Sequence, residues 1–189
     1  MTRTRLTLAL ALTFASTSAW TAPQQDIEKI NGSISADAGQ VVGNMETVNG
    51  SIRVARDVRI GGDVETVNGS VFVDRGGHVS GDVATVNGAI GLVDTDLAGG
   101  IETVNGDITV GAGSHVKGGI RVEKPNSNWT PISIGKRKPP RIVIGANAVV
   151  EGPLVFEREV KLYVHQSARI GSVTGATAMR YSGERAPVD

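Results

Sequence analysis

The sequence predicts an all-β fold, a single-stranded β-helix (β-solenoid) with triangular, right-handed coils of 18–19 residues. Three observations predict it. A Thr-Val-Asn-Gly unit recurs at a nearly fixed period, aliphatic residues follow a regular rhythm within each period, and the composition is unusual, with 25 glycines and only 4% aromatic residues. Such a composition favours thin layers of branched aliphatic side chains joined by tight turns.

The Thr-Val-Asn-Gly unit occurs four times, and a degenerate Ile-Asn-Gly copy precedes the first. Its asparagines are spaced by 18, 19, 19 and 18 residues: Asn31, Asn49, Asn68, Asn87 and Asn105. The glycines of the four full copies are Gly50, Gly69, Gly88 and Gly106. Because Gly and Asn tolerate positive φ, we predict that each copy forms one corner of a coil. We also expect the stacked asparagines to form an amide ladder.

Within one period, the residue number increases alternately by four and by two from one aliphatic residue to the next. From Val48 to Val64 the steps are 4, 2, 4, 2 and 4. A step of two keeps both side chains on one face of a strand, and a step of four can carry the chain round a corner. Three such units make one coil, with Val48 and its equivalents Val67, Val86 and Val104 facing inward. A meander of Asn-Gly hairpins is the rival fold, but it leaves this rhythm unexplained.

The N-terminal residues 1–22 have the three parts of a secretory signal. Arg3 and Arg5 precede an apolar run, and small residues follow it, so that cleavage is expected after Ala19 or Ala22. The apolar run is much shorter than the roughly 20 residues that span a bilayer. The chain has no Cys, which excludes a lipid-modified cysteine, a disulfide and a thiolate metal site. We therefore expect an exported protein, periplasmic or secreted, that is not a lipoprotein and whose mature chain has no transmembrane segment.

The remaining chain divides into four segments. The β-helix repeats occupy residues 23–124, and a basic, Pro-rich loop is inserted at residues 125–141. A six-residue aliphatic rhythm then indicates that the β-helix continues over residues 142–173, and residues 174–189 form a C-terminal tail. Since three sides of six residues give the same period as before, the loop interrupts one solenoid and does not link two domains.

Charge is unevenly distributed although the formal net charge is zero. Residues 23–116 contain 13 acidic and 5 basic residues, whereas residues 117–141 contain 7 basic residues and 1 acidic residue. The distribution is typical of solvated surfaces, or of an anion-binding loop or a contact between unlike ends. An acidic polysaccharide or lipid headgroup is the ligand that such a loop would bind. The candidate binding residues are Lys124, Trp129, Lys136, Arg137, Lys138 and Arg141.

Residues typical of catalysis are sparse. His78, His115 and His165 are the only histidines, and none has a metal-ligand spacing. Neither a phosphate-binding loop nor a nucleophile elbow is present. We expect a protein that is not an enzyme, has no cofactor or metal, and, with zero net charge, has no general attraction to nucleic acid. An acidic stripe is predicted from equivalent positions before the repeat unit: Glu46, Glu65 and Glu102.

The Thr-Val-Asn-Gly copies and the segment from Arg141 to Gly175 make the chain similar to exported bacterial proteins with tandem Val-Asn-Gly-Ser-Ile repeats and to adhesin-like β-helix domains. It also resembles the bactofilins, whose triangular β-helices polymerise end to end. Bactofilins are scaffolds on the cytoplasmic side, whereas this chain carries an export signal. The resemblance implies a structural or adhesin-like module of the bacterial envelope. Its partners would be itself, end to end or side by side, or an envelope glycan.

An enzymatic alternative rests on a weaker resemblance. The pairs Ile144-Gly145 and Ile170-Gly171 resemble the six-residue unit of hexapeptide acyltransferases, which use a catalytic histidine. The implied function is a carbohydrate-active or acyl-transfer β-helix with His165 as the catalytic residue. It ranks below the structural module and the loop-binding protein because it depends on fold analogy alone.

Overall fold

The computed structural model describes residues 24–125 and 138–188. Within these residues every regular element is a β-strand, and the strands form three parallel sheets that wind as a solenoid of about eight turns. The prediction of an all-β solenoid is confirmed. The predicted signal segment 1–22 and the predicted binding residues Trp129, Lys136 and Arg137 lie outside the described residues.

The strands are numbered in chain order, and each coil except the last contributes one strand to each sheet in turn; the last coil contributes strands to sheets A and B. Sheet A contains β1 (Ile27–Asn31), β4 (Met45–Asn49), β7 (Val64–Asn68), β10 (Val83–Asn87), β13 (Ile101–Asn105), β16 (Ile120–Val122), β19 (Leu154–Phe156) and β22 (Val173–Thr174). Sheet B contains β2 (Ile34–Ala36), β5 (Ile52–Val54), β8 (Val71–Val73), β11 (Ile90–Leu92), β14 (Ile108–Val110), β17 (Arg141–Ile144), β20 (Lys161–His165) and β23 (Ala178–Tyr181). Sheet C contains β3 (Val41–Val42), β6 (Arg59–Ile60), β9 (His78–Val79), β12 (Asp96–Leu97), β15 (His115–Val116), β18 (Val149–Val150) and β21 (Arg169–Ile170).

The core is one continuous column inside the coils. Alternation along each strand turns every second side chain inward, so that Val71 and Val73 of β8 are buried while Phe72 between them is exposed. Each strand pairs in parallel with its equivalents one coil before and one coil after. Burying one such aliphatic side chain contributes about 1.5–3 kcal/mol before conformational entropy is subtracted. A single coil cannot bury its own inner face, and the stack supplies the covering layers.

The repeat unit faces the core through its threonine, and the prediction that its valine faces inward was wrong. Thr66 is 4% exposed, whereas Val67 is 40% exposed. The chain needs five residues to pass from Thr47 to the next inward residue, Ile52, because Asn49 and Gly50 form the corner between β4 and β5. Counting a step of four residues from Val48 to Ile52 therefore gives the correct coil length, but it assigns the inward position to Val48 instead of Thr47.

Two properties require glycine at the corners between sheets A and B: the expected positive φ, which Gly32 (109°) and Gly88 (155°) have, and close stacking of the coils. Positive φ angles occur mainly at the turn between sheets B and C, for example at Asp57 (60°), Gly76 (71°) and Asn147 (56°). Gly69, at the corner between sheets A and B, does not have positive φ. A Cβ atom on Gly69 would instead collide with the carbonyl group of Gly50 in the preceding coil. These corners stack too closely to admit any side chain.

The inserted loop leaves the solenoid after β16 and rejoins it at β17, at the corner that the Asn-Gly pair occupies in the preceding coils. Arg141, predicted as the last loop residue, is the first residue of β17. The solenoid also extends past the predicted end at residue 173. Strand β23 pairs with β20 over Ala178–Tyr181, so the first half of the segment predicted as a tail adds a further strand to sheet B.

Candidate functional site

The outer face of sheet A has two parallel rows of side chains, one acidic and one aliphatic. Glu46 and Val48 are two residues apart on β4, so both face outward. The parallel register repeats this pair once per coil, at a spacing of about 4.8 Å. The acidic row consists of Glu28, Glu46, Glu65 and Glu102, with Ala84 between the last two. The aliphatic row consists of Ile30, Val48, Val67, Val86 and Val104.

A groove of about 530 Å³ is lined by both rows. Apart from Glu123, its residues come from the first five coils, with Thr66 and its equivalents contributing between the rows. One end is at Lys29 and Ile30, and the other reaches Glu123, where the chain leaves the solenoid for the inserted loop. The volume falls within the range of about 300–1,000 Å³ that is usual for small-molecule sites. We refer to this feature as the sheet A groove.

The negative charge of the acidic row is only partly balanced. Within residues 24–125 and 138–188, no ion pair is formed by Glu28, Glu46 or Glu65. At the far end, Arg121 contacts Glu102 at 3.5 Å and Glu157 at 3.5 Å. Like charges at directly opposite cross-strand positions are destabilising. The chain therefore keeps three stacked carboxylates in an arrangement that costs stability.

Glu65 experiences this repulsion most clearly. Its pKa is raised above the usual value for glutamate, first because partial burial desolvates the carboxylate. The neighbouring carboxylates of Asp63, Glu46, Asp82 and Glu102 raise the pKa further. A positive charge placed in the sheet A groove would relieve the repulsion between these carboxylates and offset the cost of desolvating Glu65.

The asparagines of the repeat form a continuous amide ladder beside the aliphatic row. Asn49 Nδ2 donates to Asn31 Oδ1 at 3.0 Å, and Asn68 Nδ2 donates to Asn49 Oδ1 at the same distance. The ladder continues at 3.1 Å and 3.3 Å through Asn87 and Asn105. The amide groups are thus engaged in coil-to-coil hydrogen bonds.

Arg158 terminates the ladder. The inserted loop begins at this corner of the sixth coil, and among the described residues no asparagine is stacked on Asn105. Arg158, at the same corner one coil further on, donates from Nη1 to Asn105 Oδ1 at 2.6 Å and to the Val104 carbonyl at 3.0 Å. This cap was not predicted because nothing in the sequence links Arg158 to a residue 53 positions earlier.

The buried threonines of the first three full copies of the repeat are hydrogen-bonded at the same corner. Thr66 Oγ1 donates to the Gly50 carbonyl at 2.8 Å, and Thr47 and Thr85 make the equivalent bonds at 3.1 Å and 3.0 Å. A buried hydroxyl is costly without such a partner. The hydrogen bond explains why a polar residue occupies an inward position in the first three full copies of the repeat. In the fourth copy, Thr103 is also buried, and its Oγ1 has no hydrogen-bond partner among the described residues.

At each end of the solenoid, a cationic residue is aligned with a residue of the neighbouring coil whose side chain faces the core. Lys29 aligns with the buried Thr47, and its Nζ donates to the Ser33 carbonyl at 3.0 Å. At the other end, Arg180 aligns with the buried Val164, and its Nη1 lies 3.3 Å from the His165 carbonyl. Inward-pointing charges are one of the devices by which natural sheets prevent edge-to-edge pairing. Both cations are recognisable only once the register is known.

The predicted binding residues of the basic loop divide into two groups in the structure. Lys124 and Lys138 are exposed where the chain leaves and re-enters the described part of the solenoid. Arg141 has structural contacts: its backbone N–H donates to Asp107 Oδ1 at 2.8 Å, and its guanidinium lies 5.0 Å from the ring centroid of Tyr163. Its Nη2 also donates to the Pro187 carbonyl at 2.7 Å, which holds the C-terminal residues against sheet B.

The histidines lie outside the sheet A groove. His115 Nε2 is 2.7 Å from Glu151 Oε1 on the outer face of sheet C, and its Nδ1 is 3.9 Å from Asp96 Oδ1. His165 Nδ1 is 2.7 Å from Ser167 Oγ, and its ring packs edge-on against Tyr181 with centroids 5.1 Å apart. Among the described residues no three His, Cys, Asp or Glu side chains are grouped to hold a metal ion.

Comparison with known proteins gave no relative: no family model, no curated protein and no solved structure matches this chain. None of the described residues forms a helix that is long and apolar enough to cross a membrane.

Proposed function

We propose that this protein is a non-enzymatic, exported structural module of the bacterial cell envelope that binds another envelope component on the outer face of sheet A. The observation that carries the proposal is the contrast between the two parts of the repeat. Its asparagines, and the threonines of the first three full copies, are engaged in coil-to-coil hydrogen bonds, whereas the acidic and aliphatic rows remain largely exposed. Stacked like charges beside exposed aliphatic side chains reduce stability, which argues for a role other than folding.

The resemblance to adhesin-like domains and the predicted export signal support an envelope location. The resemblance to bactofilins would add end-to-end polymerisation, but the inward cations Lys29 and Arg180 argue against it. Stacking two coils end to end would bury these charges without a partner, at a cost of several kcal/mol. We therefore favour lateral contacts, side by side with another chain or with an envelope polymer.

Cell fractionation followed by chemical crosslinking tests the proposal. The expected result is an envelope or secreted fraction that contains the chain together with a reproducible crosslinked neighbour. Sedimentation of the purified mature chain should give a monomer or a small lateral assembly with no filaments. A cytoplasmic location, or the absence of any neighbour across a panel of envelope components, would contradict it.

A second candidate function is binding of an acidic polysaccharide or lipid headgroup by the inserted basic loop. The exposed positions of Lys124 and Lys138 at the two ends of the loop favour it. Replacing Lys136, Arg137 and Lys138 together by Gln should abolish binding to anionic vesicles or to an acidic polysaccharide, whereas the unfolding temperature should not change. Binding that persists at high salt in this variant would eliminate the candidate.

The enzymatic alternative, carbohydrate-active or acyl-transfer chemistry with His165, has the least support. His165 contacts Ser167 and Tyr181 on an exposed part of sheet B, remote in sequence from the residues of the sheet A groove. Turnover in a substrate screen that is lost in His165→Ala would promote this alternative.

A further inference from the structure

The sheet A groove combines features that specify a class of ligand. We propose that the sheet A groove binds a linear aliphatic polycation of the polyamine class, with its ammonium groups on the acidic row and its methylene chain on the aliphatic row. The inference rests on the proposed function, because it names the ligand class of the same face.

The unpaired negative charge of the acidic row is the first observation that favours a polycation. Glu28, Glu46 and Glu65 form no ion pair within the described residues, and they stack at successive coils of the same sheet. A ligand with several positive charges in a line would neutralise all of them at once. The raised pKa of Glu65 is consistent with a carboxylate whose own surroundings favour the uncharged form.

The spacing of the carboxylates along the acidic row is the second observation, and it favours a polyamine. The carboxylates of adjacent coils repeat at about 4.8 Å, the separation of neighbouring strands. Side chains on one edge of an extended peptide repeat every two residues, at about 6.6–6.8 Å, and lose alignment after one or two coils. Amino groups separated by three or four methylene groups, as in spermidine, have a repeat closer to that of the coils. The groove therefore suits a polyamine better than an extended basic peptide.

The aliphatic row is the third argument. Val48, Val67 and Val86 are each about 40% exposed and form a continuous apolar strip two residues along the strand from the carboxylates. Aliphatic stems of amines lie along apolar surface while the charged group stays in contact with water or a carboxylate. A small inorganic cation gains nothing from this strip. An aliphatic polycation gains both contacts.

Calorimetric titration of the full mature chain with spermidine at low ionic strength tests the inference. The variant Glu46→Gln/Glu65→Gln should lower the affinity about fivefold or more, since both removed carboxylates line the groove. The matched control is Glu159→Gln/Glu184→Gln, which makes the same change in net charge at exposed positions outside the groove. An equal loss in both variants would mean non-specific attraction and would overturn the proposal.

A second pair of measurements separates the aliphatic row from charge alone. The variant Val48→Thr/Val67→Thr keeps the β-branched shape and the charge but removes apolar surface. It should weaken spermidine binding while leaving Mg²⁺ binding unchanged, and unchanged spermidine binding would overturn the proposal. If spermidine does not bind the native chain but an envelope neighbour is still crosslinked in cells, this inference fails and the proposed function stands.

Discussion

Replacing Gly69 by Ala tests the claim that close stacking, and not backbone conformation, explains the glycine at this corner. The new Cβ would collide with the carbonyl carbon and oxygen of Gly50 and lie 3.0 Å from the backbone nitrogen of Ser51. Backbone atoms cannot rotate away as a side chain can, so the two coils must separate locally. Overpacking of this kind costs about 1–3 kcal/mol. The lower entropy of the unfolded chain offsets about 0.4–1 kcal/mol of that cost, which leaves a net loss of about 1–2 kcal/mol.

The matched control is Gly91→Ala, on the outer face of sheet B. There the new Cβ would meet only the ring of Phe72, at 3.3 Å and 3.9 Å, and Gly91 does not have positive φ. We expect this variant to be as stable as the native chain or slightly more stable. Urea unfolding followed by circular dichroism measures both variants. Equal stability of Gly69→Ala and Gly91→Ala would refute the stacking argument.

Three further predictions concern single contacts. Glu65→Gln should raise the unfolding temperature at neutral pH, because the raised pKa means that the ionised carboxylate destabilises the folded state. As the pH falls through that pKa, the native chain should itself gain stability, so the difference in unfolding temperature between the native chain and the variant should shrink. Lys29→Ile/Arg180→Ile should cause concentration-dependent end-to-end association in sedimentation velocity, and a variant that stays monomeric would show that the cations are not caps. Arg158→Ala should destabilise the chain by about 1–3 kcal/mol and speed hydrogen exchange around Asn105; unchanged exchange there would contradict the capping role.

The period of the solenoid could be predicted from the sequence because one property, the recurrence of Thr-Val-Asn-Gly, marks the same corner in successive coils. Stacking then aligns identical residues, and the amide ladder from Asn31 to Asn105 follows directly. The inward residue could not be predicted from hydrophobicity. Thr47 is polar and Val48 is apolar, yet the hydroxyl of Thr47 has an acceptor at the corner while Val48 faces solvent. The hydrogen bond of the threonine at the corner therefore outweighs the general preference for an apolar side chain at an inward position.

The candidate site was predicted in part. The acidic stripe is visible in the sequence as Glu46, Glu65 and Glu102, but the aliphatic row beside it was assigned to the core, so the groove was missed. The terminal cations Lys29 and Arg180 were also missed, since their position is defined by pairing with residues one coil away. Features that depend on register across coils require the structure.

The most direct test of the account is a residue-resolved NMR titration of the isotope-labelled mature chain with spermidine. Spermidine should cause chemical-shift changes that are confined to the acidic and aliphatic rows of sheet A in the first five coils, with the largest changes around Glu46 and Glu65. Changes spread over all three sheets, or centred on the histidines of sheet C, would contradict it.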